Sequence, residues 1–368
     1  MRVVICGAGV IGACTAYFLS RRGIEVVVVD RAAVAAAASG KAGGFLALDW
    51  CAGSALDALA RRSFGLHATL STEIAGDWGY RRMTAYSGSV ASGRDARRHA
   101  PAGLDWLSDG VIIESRLGTI ETTAIVHPHA FTTAMMNAAQ GHGAELRLGR
   151  ITGIVRRAAG SRVGGVEVDG GIIEADAVVI AMGPWSVISA NWLAMPAVFG
   201  QRSPSVVYDT GTDVPAEALF LDYHDETGAA VTVEVFPRAN GNTLVTAFSG
   251  QAPLPLDPAA VAPQTGEIDR LQVICERLSP TFRAERIIAR QACYRPVTED
   301  GLPLIGKVPQ IEGAFVATGH NVWGILNAPA TGEALAELIA DGVARSTDLA
   351  AFDPIRLPPL DPSLLRSR

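Results

Sequence analysis

The sequence predicts an α/β plus α+β protein. One lobe carries a parallel sheet and is interrupted in sequence, and a smaller lobe is built on antiparallel sheet. Three observations predict it. The first thirty residues read strand, glycine turn, helix, strand, acid. Short β-branched runs of the same buried type return much later, at 176–181 and 314–318. Between them, 197–292 is dominated by strand patterns with a hairpin signal at Asn240-Gly241.

The opening run, Arg-Val-Val-Ile-Cys at 2–6, leads into Gly7-Ala8-Gly9-Val10-Ile11-Gly12, a helical stretch over 13–22 and a second apolar run over 24–29 that ends on Asp30, with Arg31 beside it. In that context the glycines are a dinucleotide fingerprint. Gly7 allows the tight turn, Gly9 lets the backbone approach a pyrophosphate, and Gly12 lets the helix lie close to the strand. The first turn of the helix offers unpaired N–H groups and a partial positive charge to phosphates. Asp30 can accept from ribose hydroxyls.

An alanine-rich segment, 32–38, leads to Ser39-Gly40-Lys41-Ala42-Gly43-Gly44, whose bare backbone suits close contact with a ligand. The spacing of Leu56, Leu59, Phe64, Leu66 and Leu70 predicts a helix within 54–75. A strand is expected over 80–93, a helix over 128–140 behind His127-Pro128, and a strand over 146–155. A small β-meander follows through the Gly170-Gly171 turn. The buried strand 176–181 ends on Gly183-Pro184-Trp185-Ser186. A strand is expected over 243–248, and a helix near 266–278 should cover the antiparallel sheet. Strand 287–294 leads back to strand 314–318 and a helix over 324–339. The proline-rich tail from Thr347 is expected to run extended over the surface. The predicted division is 1–80, 125–196 and 293–345 for the first lobe, 81–124 and 197–292 for the second, and 346–368 for the tail.

Composition narrows the function classes. With 49 % hydrophobic and 18 % charged residues, the 368-residue chain can bury a large core. A net charge of −6 and scattered Arg-Arg pairs give no nucleic-acid footprint. Cys6, Cys14, Cys51, Cys275 and Cys293 are odd in number and without paired spacing, which argues against a disulfide framework or a zinc site and for a reducing, cytoplasmic setting. No apolar run reaches membrane-spanning length, and the first strand begins too early to leave room for a signal peptide. Nothing specifies an oligomeric state.

Two later stretches complete the pattern: Cys293-Tyr294-Arg295-Pro296 running to Gly306, and Thr318-Gly319-His320-Asn321-Val322-Trp323-Gly324-Ile325 running to Gly332. With the N-terminal fingerprint, 39–44 and 183–186, they resemble the D-amino-acid oxidase, glycine oxidase and sarcosine oxidase family of FAD proteins. The resemblance runs in the right order over nearly the whole chain and is weakest over 197–292. It implies FAD as cofactor, held by Gly7, Gly9, Val10, Ile11, Gly12, Asp30, Arg31, Ser39, Lys41, Ala42, Gly43, Gly44, Gly183, Trp185, Cys293, Gly319, Asn321, Val322, Trp323, Gly324 and Ile325. It implies an FAD-binding domain of Rossmann type, discontinuous in sequence, and a smaller substrate domain. The helix near Gly324 would aim its N-terminal N–H groups at the flavin C2 carbonyl, where negative charge collects on reduction.

The resemblance also implies oxidation of an amine or amino acid, with hydride passing from the α-carbon to flavin N5 to leave an imine and electrons passing to oxygen or another acceptor. Arg295 is the expected carboxylate anchor, against the alternative of a structural pair with Glu299 or Asp300. Tyr294 stands where relatives have leucine. Tyr294, Tyr223 and His320 complete the expected catalytic set, with Tyr208 and His224 near the roof of the site. Cys293 stands where sarcosine oxidases carry a covalent flavin link. The resemblance favours a non-covalent flavin and leaves that link open. The oxygen-activating lysine of sarcosine oxidases has no counterpart in 243–246. Two alternatives stay open: a dehydrogenase for a secondary or cyclic amine, and a low-turnover flavoprotein that serves in assembly.

Overall fold

The computed structural model describes residues 1–90, 104–157, 160–224 and 230–365. The end of the expected strand 80–93 and the Arg97-Arg98 pair lie outside these residues. A six-stranded sheet forms the first lobe. Its strand order is Leu304–Lys307, Ala314–Thr318, Ala177–Ile180, β1 (Arg2–Cys6), β2 (Glu25–Asp30) and Glu145–Leu148. Every pair is parallel except the first. The inner strands are covered on both faces and read as unbroken apolar runs, whereas the edge strand Glu145–Leu148 is largely exposed. Alternation divides β1 accordingly: Val3 and Ile5 enter one core, Val4 and Cys6 the other.

Helix α1 (Val10–Ser20) joins β1 to β2 and packs against Pro128–Gly141 and Gly324–Asp341. A Cβ on Gly12 would lie 1.9 Å from the Gly7 carbonyl oxygen, so glycine alone permits this helix–strand approach. Gly7 itself has φ +113° and sits against Ala181. The meander Ile151–Arg156, Val163–Val168, Gly171–Glu174 forms a separate three-stranded sheet.

A large sheet forms the second lobe. The hairpin Ala230–Pro237 to Asn242–Thr246 turns at Asn240-Gly241, where Gly241 has φ +81°. Phe199–Asp209 pairs with Asn242–Thr246 on one side and Ile287–Val297 on the other. Its neighbours are antiparallel, but Glu217–His224 pairs in parallel with Thr84–Val90, the early segment that crosses from the first lobe. Helix Glu267–Leu278 covers one face through Ile268, Leu271, Ile274, Cys275 and Leu278. Buried Arg202 forms a two-pronged ion pair with Glu267 at the start of that helix.

Three expectations are corrected. The strand expected over 146–155 is two strands. Glu145–Leu148 joins the parallel sheet and Ile151–Arg156 the meander, because Gly149 turns the chain and its N–H donates to the Asp30 carbonyl at 2.8 Å. The tail is not simply extended. It forms short 3₁₀ turns, buries Phe352 and Pro354, and is held by Arg356 on Asp300 at 2.7 Å and the Leu360 N–H on the Met195 carbonyl at 2.8 Å. The strand through 243–248 stops at Thr246, and Phe248 has φ +57°. All five cysteines are free and buried, and among the described residues no helix is long and apolar enough to cross a membrane.

Helix Gly324–Asp341 contains Pro329, which lacks the N–H that would bond the Ile325 carbonyl. Helix Asp57–Glu73 repairs the break. His67 Nε2 lies 3.0 Å from the Ile325 carbonyl oxygen and 3.2 Å from that of Leu326, and the Ala330 N–H donates to Ser63 Oγ at 3.1 Å. The Nε2–H tautomer satisfies both carbonyls. His67→Ala should therefore lose about 2–4 kcal/mol of stability, through unpaired carbonyls and an unfilled space. Urea unfolding should show it, and an unchanged midpoint would refute the repair.

Burial holds His67 neutral, lowering its pKa from 6.5 to about 4, and moves His320 to about 3 and His127 to about 4. Below pH 6.5 the unfolded chain takes up protons on these rings that the folded chain refuses. Stability should fall as pH drops from 6.5 toward 4, with His67 alone contributing on the order of 3 kcal/mol of the loss. Glu217 and Glu234, raised by burial, oppose part of it. The urea midpoint should be lower at pH 5 than at pH 7.

Candidate active site

A cavity of about 1100 Å³ is lined from both lobes. At one end lie Gly7, Gly9, Val10, Ile11, Asp30, Arg31 and Ser39. The Val10 N–H donates to Ser39 Oγ at 2.9 Å, which docks the 38–41 turn on the start of α1. Asp30 accepts from the Ala8 N–H at 2.8 Å and the Ala32 N–H at 2.9 Å. Its carboxylate thus shapes the glycine turn and keeps lone pairs for a ligand. Arg31 crosses to the second lobe, pairing with Asp257 at 3.1 Å and donating to the Leu256 carbonyl at 3.2 Å. Trp185 Nε1 donates to the neighbouring Pro255 carbonyl at 2.8 Å.

The loop through Lys41, Ala42, Gly43 and Gly44 is pinned from the second sheet. Arg238 donates to the Ala42 carbonyl at 2.8 Å and Gln291 to that of Lys41 at 3.1 Å, while Lys41 Nζ donates to the Ala292 carbonyl at 3.2 Å. A Cβ on Gly43 would fall 2.3 Å from the Phe236 ring, so this contact requires glycine.

At the far end lie His320, Asn321, Val322, Trp323, Gly324 and Ile325. Asn321 has φ +49°, and its Oδ1 is buried without a partner. Helix Gly324–Asp341 follows directly on the 3₁₀ turn Asn321–Trp323, and no side chain caps its first turn. His320 is buried, shares a hydrogen bond with Thr331 Oγ1 at 3.0 Å, and stays neutral because desolvation disfavours its charge. Phe45, Trp50, Phe220, Phe236 and Trp323 form an aromatic wall, with Trp50 and Phe220 ring centres 4.9 Å apart.

Strand Ile287–Val297 brings Cys293 and Arg295 to the cavity. Arg295 Nε is buried and unpaired. Among the described residues its guanidinium makes no ion pair. Glu299 does not pair with it, and Asp300 is engaged by Arg356 instead. Burial lowers the Arg295 pKa, and the nearby Glu234 charge acts in the opposite direction. Burial raises the Cys293 thiol, with Arg295 and Lys41 favouring the thiolate.

Four expected site residues do not reach the cavity. Tyr294 is carried to the opposite face by the alternation that brings in Cys293 and Arg295, and its hydroxyl donates to the Pro253 carbonyl at 2.7 Å. Tyr223 shares the helix-facing side of Glu217–His224 with Leu219 and Leu221, and its hydroxyl accepts from Arg277 at 3.3 Å. Phe220 faces the cavity instead. Gly12 lies behind the turn, against Gly7, and Gly319, with φ +81°, lies against Thr298 and Pro303. Tyr208 is also in the helix-side core, and His224 is exposed.

Sequence reasoning missed Glu234 and the aromatic wall. Alternation with Phe236 along Ala230–Pro237 was the available signal for Glu234. The wall draws rings from separate segments, which local patterning cannot join.

The family model for FAD dependent oxidoreductases, DAO, matches residues 2–338. A Schizosaccharomyces pombe chain named as an oxidoreductase is 27 % identical over 96 % of this chain and 97 % of its own. The glycine oxidase of Geobacillus kaustophilus is 27 % identical, covering 95 % of each. Among solved structures, glycine oxidase from Bacillus cereus superposes with a TM-score of 0.79 at 22 % identity, covering 98 % of this chain and 99 % of that one.

The residues present fit FAD. A glycine-cornered helix start lies at one end of the cavity and an uncapped helix start at the other, and Asn321 Oδ1 and Arg295 Nε are left without protein partners. On the family match and this fit, the chain belongs to the DAO family of FAD-dependent oxidoreductases.

Proposed function

We propose that this protein oxidises the C–N bond of an amino acid or amine. The observation that carries the reading is Arg295, a largely buried guanidinium facing the cavity without a protein carboxylate. An arginine fork matches the two oxygens of a substrate carboxylate. Glycine oxidase relatives and the structural likeness to iminodiacetate oxidase from Chelativorans agree with such a substrate.

FAD, when bound, supplies the two-electron acceptance that the oxidation needs. The start of α1, with Gly7, Gly9 and Ile11, would hold its pyrophosphate, and Asp30 its ribose hydroxyls. The uncapped start of Gly324–Asp341 would face the ring and favour negative charge there. Arg295 orients the substrate through its carboxylate. The aromatic wall excludes water from the reacting carbon. Neutral His320 positions the turn through Thr331, and its low pKa leaves it little capacity to take a proton near neutral pH. Residues 1–80, 125–196 and 293–345 form the cofactor domain on this reading, and 81–124 with 197–292 the substrate domain.

Anaerobic addition of glycine, D-amino acids, N-methyl amino acids and cyclic amines should bleach the visible flavin band with at least one of them. Arg295→Ala should raise KM for a carboxylated substrate roughly tenfold to hundredfold and leave the flavin spectrum intact. An unchanged KM would remove Arg295 from this role. Burial keeps the Cys293 thiol protonated, so the flavin should be held without a covalent bond. Acid precipitation should then release all of the yellow colour to the supernatant.

A further inference from the structure

Arg295 has a counterpart of opposite sign in the same cavity. Strand register sets Phe220 opposite Glu234, Glu234 opposite Thr246, and Thr246 opposite Ser205, so one row crosses the cavity face of the sheet. All four residues line the cavity. The hydroxyls of that row are occupied elsewhere. Thr246 Oγ1 donates to the Pro204 carbonyl at 2.8 Å and lies 3.1 Å from Ser203 Oγ, and Ser205 Oγ accepts from Gln291 at 3.0 Å. Among the described residues the Glu234 carboxylate has neither a hydrogen bond nor an ion pair. The charge it feels is that of Arg295, which favours its ionised form against the burial that disfavours it. The two sense one another without forming an ion pair.

A half-buried carboxylate and a half-buried guanidinium are each partly desolvated, and each gains from a partner of opposite charge. Both line the cavity, and among the described residues no ion pair joins them, so each can receive the complementary charge of a bound molecule. Phe220 lies opposite Glu234 and Phe236 two residues along, so aromatic residues share its face of the sheet, and ring faces also favour a cation.

We infer that Glu234 is the second half of a substrate clamp, receiving the cationic nitrogen of a zwitterion whose carboxylate lies on Arg295. The inference rests on the amino-acid reading above and narrows it to small molecules that carry both charges when they bind. Simple carboxylic acids, neutral amines and N-acylated amino acids satisfy only one end.

Matched probes separate the two charges. Glycine and propionate have nearly the same shape and differ in the ammonium group. Trimethylated glycine and 3,3-dimethylbutanoate differ in the same way, and neither has a nitrogen lone pair to support oxidation to an imine. Binding to the oxidised holoenzyme under argon is followed by perturbation or bleaching of the flavin spectrum and, independently, by the shift in thermal midpoint. The wild type should bind the cationic member of a pair roughly tenfold more tightly or better. Glu234→Gln, which keeps shape and flavin content, should abolish that preference while binding the uncharged member at least as well. Glu234→Asp should retain part of it. Arg295→Ala should weaken both members. If wild type and Glu234→Gln share the same preference, or the wild type has none, the clamp is refuted while Arg295 keeps its role. If no carboxylate of either pair binds the wild type, the amino-acid reading and the clamp fall together.

Discussion

Two helix starts open into one cavity, and both leave backbone N–H groups for something other than the protein to satisfy. At α1 the glycine turn allows the helix to lie against β1, and Ser39 takes only the Val10 N–H. At Gly324–Asp341 no side chain caps the helix at all. Two partial positive charges facing a common space repel each other weakly and attract an extended ligand rich in acceptors. The placement of the second lobe follows from this constraint. Its sheet pins the 41–44 loop through Arg238 and Gln291, and its 255–257 segment meets Trp185 and Arg31 over the nucleotide end. On the proposed reading, an elongated cofactor would be held by contacts drawn from the whole chain.

The electrostatics of the cavity are divided in a similar way. The histidines that could serve as bases are kept neutral by burial: His320 shares its hydrogen bond with Thr331, and His67 is committed to backbone carbonyls. Arg295 and Glu234 line the cavity without an ion pair among the described residues, on strands that do not pair directly. Such a site is suited to binding and orienting a charged molecule. It is poorly suited to moving protons through a dedicated relay.

Local features were legible in the sequence and relational ones were not. Gly7, Gly9, Gly12 and Asp30 declare themselves because strand, turn, helix and strand follow within thirty residues. Arg295 could be picked out by resemblance to a motif. Its neighbour Tyr294 could not be assigned a face until strand register was known, and alternation then sends it to Pro253. Tyr223 fails for the same reason, since its strand turns Phe220 toward the cavity and Leu219, Leu221 and Tyr223 toward the covering helix. Glu234 lies in a run that reads as ordinary half-buried strand, and its significance appears only when the register sets Phe220 and Thr246 on either side. The division at Gly149 was hidden because one apolar run supplies two sheets.

The proline at 329 has a consequence that propensity scales misjudge. Alanine there would be the better helix former by about 3 kcal/mol in an isolated helix. In this fold its restored N–H would compete with His67 for the Ile325 oxygen, in a setting where the imidazole is already enclosed and uncharged. The apparent improvement would thus displace an interhelical cross-brace, and the helix start that lines the cavity would lose its registration against the neighbouring helix.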